Sequence, residues 1–391
     1  MVSAAEEKGE TGAMPENNNR PTPAAVIATP GDLLANIPGI LGFYPRESVV
    51  FTAMYRKPRS YRFELGPVIR VDLDELRYLP EISSALNSAE VDMVFAFVIG
   101  PDTASATCDQ AVEQLFESSE PELLDIAACW VTPGIYSGEV YQLAFGPPPE
   151  ALENDPSGLS DWENGRIPPI TEAAATRSML SGGHLPEVTR DEAFAAFDRG
   201  NTHLTPHVIH ELESQVEVDA GELMQGVFIT GEEFFAHAID RFGVLVDRCE
   251  GLTMAETLVD TEMLGQAAAY LVNPLTRDAV MHFFVERPAA ASDLGFAIAK
   301  TFDGVVRANA LCLYSLAVVR RNLGMKTNPA LEAALRTAPG HNLSVLLRHG
   351  LNEGRFDETI EACLRGNAMV REQYAGKGQS RGGCTGTAEA A

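Results

Sequence analysis

Val91-Asp92-Met93-Val94-Phe95-Ala96-Phe97-Val98-Ile99-Gly100 runs directly into Pro101. A strand with one face in water alternates apolar and polar residues, whereas this run is apolar almost throughout. That pattern predicts a central strand covered on both faces and stopped by Gly-Pro. Upstream, Ser48–Tyr55 (SVVFTAMY) and Val68–Leu73 (VIRVDL) are rich in β-branched residues and read as strands. Downstream, Thr107–Ser118 predicts a helix with Val112, Leu115 and Phe116 on one side, and Leu124–Val131 and Glu139–Phe145 predict two more strands. The order strand, strand, helix, strand, helix, strand, strand specifies an N-terminal α/β layered domain with a mixed sheet, over residues 29–146. It opens at Thr29-Pro30-Gly31-Asp32, where Thr29 can accept from the Asp32 N–H and Pro30 takes the first helical position. A short helix, Leu33 to Ile37, should then stop at Pro38-Gly39.

Beyond this block the strand signal fades. Residues 147–169, with Pro147-Pro148-Pro149, Asn154-Asp155-Pro156 and Pro168-Pro169, read as a Pro-rich linker, and Trp162 within it as a docking anchor. Residues 170–366 read as a helical domain. Helices are expected over Ile170–Ser181, Asp191–Asp198, Pro206–Val216, Gly231–Leu245, Met254–Leu271, Arg277–Glu286, Asp303–Leu323, Pro329–Arg336, Asn342–His349 and Asp357–Leu364. Thr189-x-x-Glu192 and Thr230-x-x-Glu233 have the form of capping boxes. Val306–Val319 is apolar on nearly every side, so it should be buried between neighbours. The last helices are short and paired and resemble one or two tetratricopeptide-like hairpins, with Ala334 and Pro339 at matching spacing; the Trp-Leu-Gly signature is missing, so generic α-hairpin packing is the alternative to a true repeat. The class is therefore α/β plus all-α. Residues 1–28 and 367–391, without apolar periodicity, are expected to be a disordered leader and tail.

Of the 391 residues, 29 are basic and 55 acidic, a formal charge of −26. Such a surplus argues against nucleic acid and against anionic membranes as partners. The longest apolar runs, Met93–Ile99 and Ala310–Val319, fall short of the ~20 residues that span a bilayer. The first residues offer no apolar signal segment. Cys108, Cys129, Cys249, Cys312, Cys363 and Cys384 show no C-x-x-C spacing, which predicts reduced thiols and a cytoplasmic setting, structural except for Cys384, expected to be exposed and reactive in its Gly-rich stretch.

Two constellations could carry chemistry. His203, His207 and His210, in His203-Leu-Thr-Pro-His207-Val-Ile-His210-Glu211, place two histidines one helical turn apart beside carboxylates, a pattern able to hold a divalent metal. Neither H-E-x-x-H nor H-x-x-E-H is present and His203 lies before the helix, so a solvated helix start is the simpler reading. Leu41 to Phe51 contains Arg46-Glu47-Ser48 at the entry to a strand, and Arg70 and Asp72 flank Val71 on the next. Arg46, Glu47, Ser48, Arg70 and Asp72 together could line a ligand pocket, since ligand sites in α/β sheets favour strand ends; a structural corner with a same-face ion pair is the alternative. Glu250, Glu256, Asp260 and Glu262 read as a solvated helix surface. Gly376-Lys377-Gly378-Gln379-Ser380 has no strand before it and no helix after it, so it is not a phosphate loop. Neither G-x-G-x-x-G nor G-x-S-x-G is present, and no cofactor is expected.

These stretches resemble an actinobacterial family known only as domain of unknown function number 4192. The likeness runs through Leu33-Leu34-Ala35, Ile40-Leu41-Gly42-Phe43-x-Pro45-x-x-Ser48-Val49-Val50 and Arg70-x-Asp72-Leu73. It continues through Gly182-Gly183-His184-Leu185-Pro186-Glu187-Val188-Thr189-Arg190 to Ala334-Leu335-x-x-Ala338-Pro339-Gly340-His341-x-Leu343-x-x-Leu346-Leu347, nearly all of residues 29–366. The family's Cys-Cys-Pro segment is absent here, so no cysteine-dependent role carries over. The resemblance implies no activity, cofactor or catalytic residue. With no catalytic motif, the expected mode of action is contact with partner proteins, as a regulatory or scaffold module. A small-molecule enzyme with its pocket in the N-terminal α/β domain is the rival.

Overall fold

The computed structural model describes residues 28–56, 63–119, 124–147, 156–352 and 355–375. Most of the expected leader, the Gly376–Ser380 stretch and Cys384 lie outside the described residues.

Six strands form one mixed sheet in the order β2-β1-β3-β4-β5-β6. They are β1 (Ser48–Arg56), β2 (Phe63–Asp72), β3 (Met93–Ile99), β4 (Ile126–Thr132), β5 (Val140–Phe145) and β6 (Asn164–Arg166). Only β3 and β4 pair in parallel; the other four pairings are antiparallel. The predicted central strand is β3. Val94, Ala96 and Val98 enter one core and Phe95, Phe97 and Ile99 the other, so the lack of alternation has its physical cause. The connections β2 to β3 and β3 to β4 cross over through α2 (Leu79–Ser88) and α3 (Ala106–Glu117). A right-handed crossover fixes the face on which each helix lands, and both pack on the same one.

The helix α1 (Pro30–Leu41) covers the opposite face. Its start is as expected: the Asp32 N–H donates to Thr29 Oγ1, and the Asp32 carboxylate accepts from the Thr29 N–H. It does not stop at Pro38-Gly39. The Gly42 N–H donates to the Pro38 carbonyl at 2.9 Å, and Gly42 ends the helix at φ 82°. Proline loses only its own N–H, and tertiary packing outweighs that: a Cβ on Gly39 would stand 2.4 Å from the Thr176 N of α5 (Ala174–Ser181). Burying Leu33, Leu34 and Ile37 contributes about 1.5–3 kcal/mol each.

Residues 148–155 of the stretch read as a linker lie outside the described residues, and its remainder is structural. Residues 156–170 supply α4 (Pro156–Glu163) and the edge strand β6, and Ile167 and Ile170 enter the α1-side core. Trp162 is indeed an anchor, set edge-on to Trp130 with centroids 4.8 Å apart. In α3 the buried side is Cys108, Ala111 and Leu115; Phe116, expected inside, is 63% exposed and meets Phe145 edge-on.

The remainder is helical: α6 (Arg190–Ala195), α7 (Pro206–Ile229), α8 (Glu232–Glu250), α9 (Met254–Val259), α10 (Thr261–Leu271), α11 (Pro274–Val280), α12 (Phe283–Glu286), α13 (Pro288–Thr301), α14 (Gly304–Arg320), α15 (Thr327–Thr337), α16 (Asn342–Asn352) and α17 (Phe356–Ala375). Every residue of α14 from Val306 to Val318 is buried, as its all-round apolarity predicts. The last three helices pair in succession, yet α17 also packs back on α8 and α11, closing the array around α14. An open solenoid would contact nearest neighbours alone.

Several boundaries differ for identifiable reasons. Thr230 ends α7 and Gly231, at φ 80°, begins α8, so the expected capping box is not formed. The expected Met254–Leu271 helix breaks at Asp260, whose side chain caps α10 and pairs with Arg248 at 2.7 Å. Arg248 also holds Glu262, and Glu256 closes a capping box with Thr253, so the acidic group is more than solvated surface. The tail expected from residue 367 is helical to Ala375. Asn367 is buried and donates to the carbonyls of Asp278 and Ala279 in the last turn of α11.

Candidate functional site

After β2 the chain tightens into a 3-10 turn over Leu73–Tyr78 and enters α2, while α3 runs along the same face of the sheet. Between them lies a cavity of about 710 Å3. Leu73, Leu76, Leu79, Ala111 and Leu124 make an apolar floor. The rim is polar. Thr107, Gln110 and Gln114 project from α3, spaced so that one helix face presents them together, and Asp74, Arg77 and Ser83 stand opposite. Among the described residues no histidine, cysteine or lysine lines it. Its floor comes from four separate elements, and no local pattern in the chain announces such a convergence.

The five residues expected to form a pocket do come together in part, but they satisfy one another. Val50 and Arg70 are register partners, as are Ser48 and Asp72, so Ser48, Arg70 and Asp72 share the α1 side of the sheet. Arg70 Nε donates to Ser48 Oγ at 2.8 Å, and its Nη2 reaches the Asp72 carboxylate and the Arg46 carbonyl. Ser48 in turn donates to the Arg46 carbonyl at 2.5 Å. Glu47 is exposed at φ 44°, and its carbonyl accepts from the Leu73 N–H. This is the structural corner, and the 710 Å3 cavity opens on the other face of the sheet. The Arg70 side chain is only 13% exposed. Arg70→Ala is therefore expected to cost about 2 kcal/mol, because buried Ser48 loses a charged partner. Urea denaturation measures this, and a loss below about 0.5 kcal/mol would return Arg70 to a ligand role.

The three histidines do not gather into one site. Among the described residues no three His, Cys, Asp or Glu side chains gather as a metal requires. Exposed His207 faces exposed Glu211 at 3.4 Å one turn on; the His203 N–H donates to Asn201, and the His210 carbonyl accepts from Ser214. His203 precedes α7, so its side chain shares no helix face with the other two.

Reading by local pattern also missed two polar groupings of the helical half. One joins Arg277, Asn309, Cys312, His341 and Ser344. Asn309 Oδ1 accepts from Arg277 at 2.8 Å and from His341 Nε2 at 2.9 Å, while its Nδ2 donates to the Leu271 carbonyl. Ser344 Oγ donates to His341 Nδ1 at 2.7 Å and stands 3.1 Å from Cys312 Sγ. The order of groups is that of a nucleophile, a base and its orienting amide. However, Cys312 and Ser344 are fully buried, and burial pushes the thiol up to about 12, away from a reactive thiolate. The network locks α14 to α11 and α16. The other grouping, His184 with Lys326, lies where the two halves meet.

A family model described as Domain of unknown function (DUF4192) matches residues 30–356. No curated protein and no solved structure matches the chain. Among the described residues no helix is long and apolar enough to cross a membrane.

Proposed function

The chain belongs to this family, DUF4192, and from that premise we propose that it is a cytoplasmic interaction module, regulatory or scaffolding, whose α2–α3 groove receives a segment of a partner protein. The observation that carries this reading is the apolar floor beneath a polar rim in which Thr107, Gln110, Gln114 and Ser83 predominate. Leucine-floored grooves between helices favour the apolar face of an amphipathic helix. Among the described residues the walls supply two carboxylates, Asp74 and Glu117, against one arginine, Arg77. Together with the net charge of −26, this selects a basic segment and disfavours nucleic acid. The five described cysteines are unpaired, which supports a reducing compartment.

A fluorescent Leu/Lys amphipathic helical peptide is the probe, with its Leu/Glu counterpart as control. Gln110 and Gln114 are exposed, so Gln110→Trp and Gln114→Trp should fold normally while filling the groove. Each is expected to weaken binding of the basic peptide about tenfold by fluorescence anisotropy. Equal binding by wild type and both variants, or equal binding of both peptides, overturns the reading.

A further inference from the structure

Lysine is scarce in this chain: Lys8, Lys57, Lys300, Lys326 and Lys377 are all there are. Lys326 ends a 3-10 turn, Gly324–Lys326, that is held against the C-terminus of α1, where Met325 packs on Gly42. Facing it is the loop after α5. Gly183 takes φ 77°, its N–H donates to Leu180, and the His184 N–H donates to Met179, the paired bonds of a Schellman cap. That cap aims His184 at Lys326. The following residues are fixed in turn by Phe43, through its bridge to Glu187.

Lys326 Nζ lies 2.9 Å from His184 Nδ1. An ammonium only donates, so Nδ1 is the acceptor and the imidazole proton sits on Nε2. That Nε2–H is buried and has no acceptor among the described residues. Nor does Lys326 have a carboxylate within ion-pairing distance among them. Glu187 and Asp293 act on it from farther off, and Arg321, which donates to Ser292 and reaches Asp293, adds a second positive charge. A half-buried lysine beside a guanidinium, paired with a neutral base, is the arrangement that activates an amine.

We infer that Lys326 is a reactive amine that condenses with a small aldehyde or ketone, with His184 as its proton relay. Lys326 gives a proton to His184 Nδ1, and its nitrogen forms a bond to the carbonyl carbon. The carbonyl oxygen takes one proton from that nitrogen and the other back from His184, and leaves as water when the C–N double bond forms. The net exchange is one ammonium and one carbonyl for one iminium and one water, with no oxidant or reductant. Burial and Arg321 hold Lys326 below the usual lysine range, and burial first, then Lys326 and Arg321, hold His184 neutral down to about 4. This site is separate from the α2–α3 groove and stands or falls without it.

Acetaldehyde with cyanoborohydride traps such an iminium as an ethylamine, and mass spectrometry of peptides reads each lysine separately. A lowered pKa raises the free-amine fraction, so at pH 7 Lys326 should be alkylated faster than Lys8, Lys57 and Lys377, by about tenfold for each pKa unit of depression. His184→Gln removes the proton relay but neither burial nor Arg321, so it should slow the labelling of Lys326 while leaving tryptophan fluorescence unchanged. Labelling of wild-type Lys326 no faster than those lysines overturns the proposal without reference to any variant. An undiminished rate in folded His184→Gln removes His184 from it.

Discussion

Trp130→Ala is expected to lower the unfolding free energy by about 3–5 kcal/mol, in the range for deleting a buried aromatic side chain. Trp130 is fully buried in β4. It stacks on Phe97 at 5.3 Å and meets Phe95 and Trp162 edge-on at 5.4 and 4.8 Å. Its Nε1 donates to the Trp162 carbonyl at 2.8 Å, which holds α4 against the sheet. Alanine leaves a cavity and also orphans that carbonyl. Trp130→Phe keeps most of the packing and should cost about 1–2 kcal/mol, chiefly for the lost hydrogen bond. The two tryptophans of the chain lie in this one cluster, so their fluorescence follows the α/β half, whereas far-ultraviolet circular dichroism follows mainly the helices. Denaturant titrations by both probes measure the cost. A loss under 1 kcal/mol for alanine would contradict the described packing.

The second large effect is acid destabilisation between pH 6.5 and 4. Burial, reinforced by nearby cations, holds His184, His282 and His341 below the usual histidine value, His184 at about 4. A group whose folded pKa lies below its unfolded value near 6.5 takes up a proton on unfolding. Its contribution is complete above the unfolded value and is lost as pH falls toward the folded one. His341 shows why. Its Nε2–H is spent on Asn309 Oδ1, which also receives Arg277, and Nδ1 accepts from Ser344. A proton on Nδ1 breaks the Ser344 bond and adds a second buried cation beside Arg277. His282 faces Phe283 and Asn367, with Arg371 and Arg287 lowering its pKa and Glu286 opposing them. Asp293 acts in the other direction: burial raises its carboxyl despite Arg321, so it gains stability as pH falls. Calorimetry should show the melting temperature falling through this window, with up to three protons taken up on unfolding. His341→Gln should flatten the fall. A melting temperature constant from pH 7 to 5 would contradict the burial of these rings.

Legibility followed how many layers a segment packs between. The absence of alternation in β3 and of a polar side in Val306–Val319 each announced burial all round, and both were read correctly. The same logic failed for α13, which no expectation covered. It is buried by α14, α8, α10 and α9, and its Ala, Ser and Gly residues contact neighbours without forming a stripe. Gly295 there lets Phe284 approach to 3.0 Å of where a Cβ would sit. The strand β6, Asn-Gly-Arg, has no strand propensity of its own; it exists because β5 offers an open edge. Residues Arg70 and Asp72 were placed together correctly, because two residues apart on a strand means one face, but whether a face holds a pocket depends on what lies over it.

Local periodicity and capping chemistry therefore determined the class of this protein, the sheet strands β1 to β5, and an all-helical remainder around a buried rod, since those properties depend on neighbours along the chain. The α2–α3 groove, the pairing of Lys326 with His184 and the Asn309 hub were decided by tertiary structure alone. Each joins residues from separate elements, 142 positions apart for Lys326 and His184. Their chemistry arises from desolvation and proximity, which no single stretch of residues possesses before the chain folds.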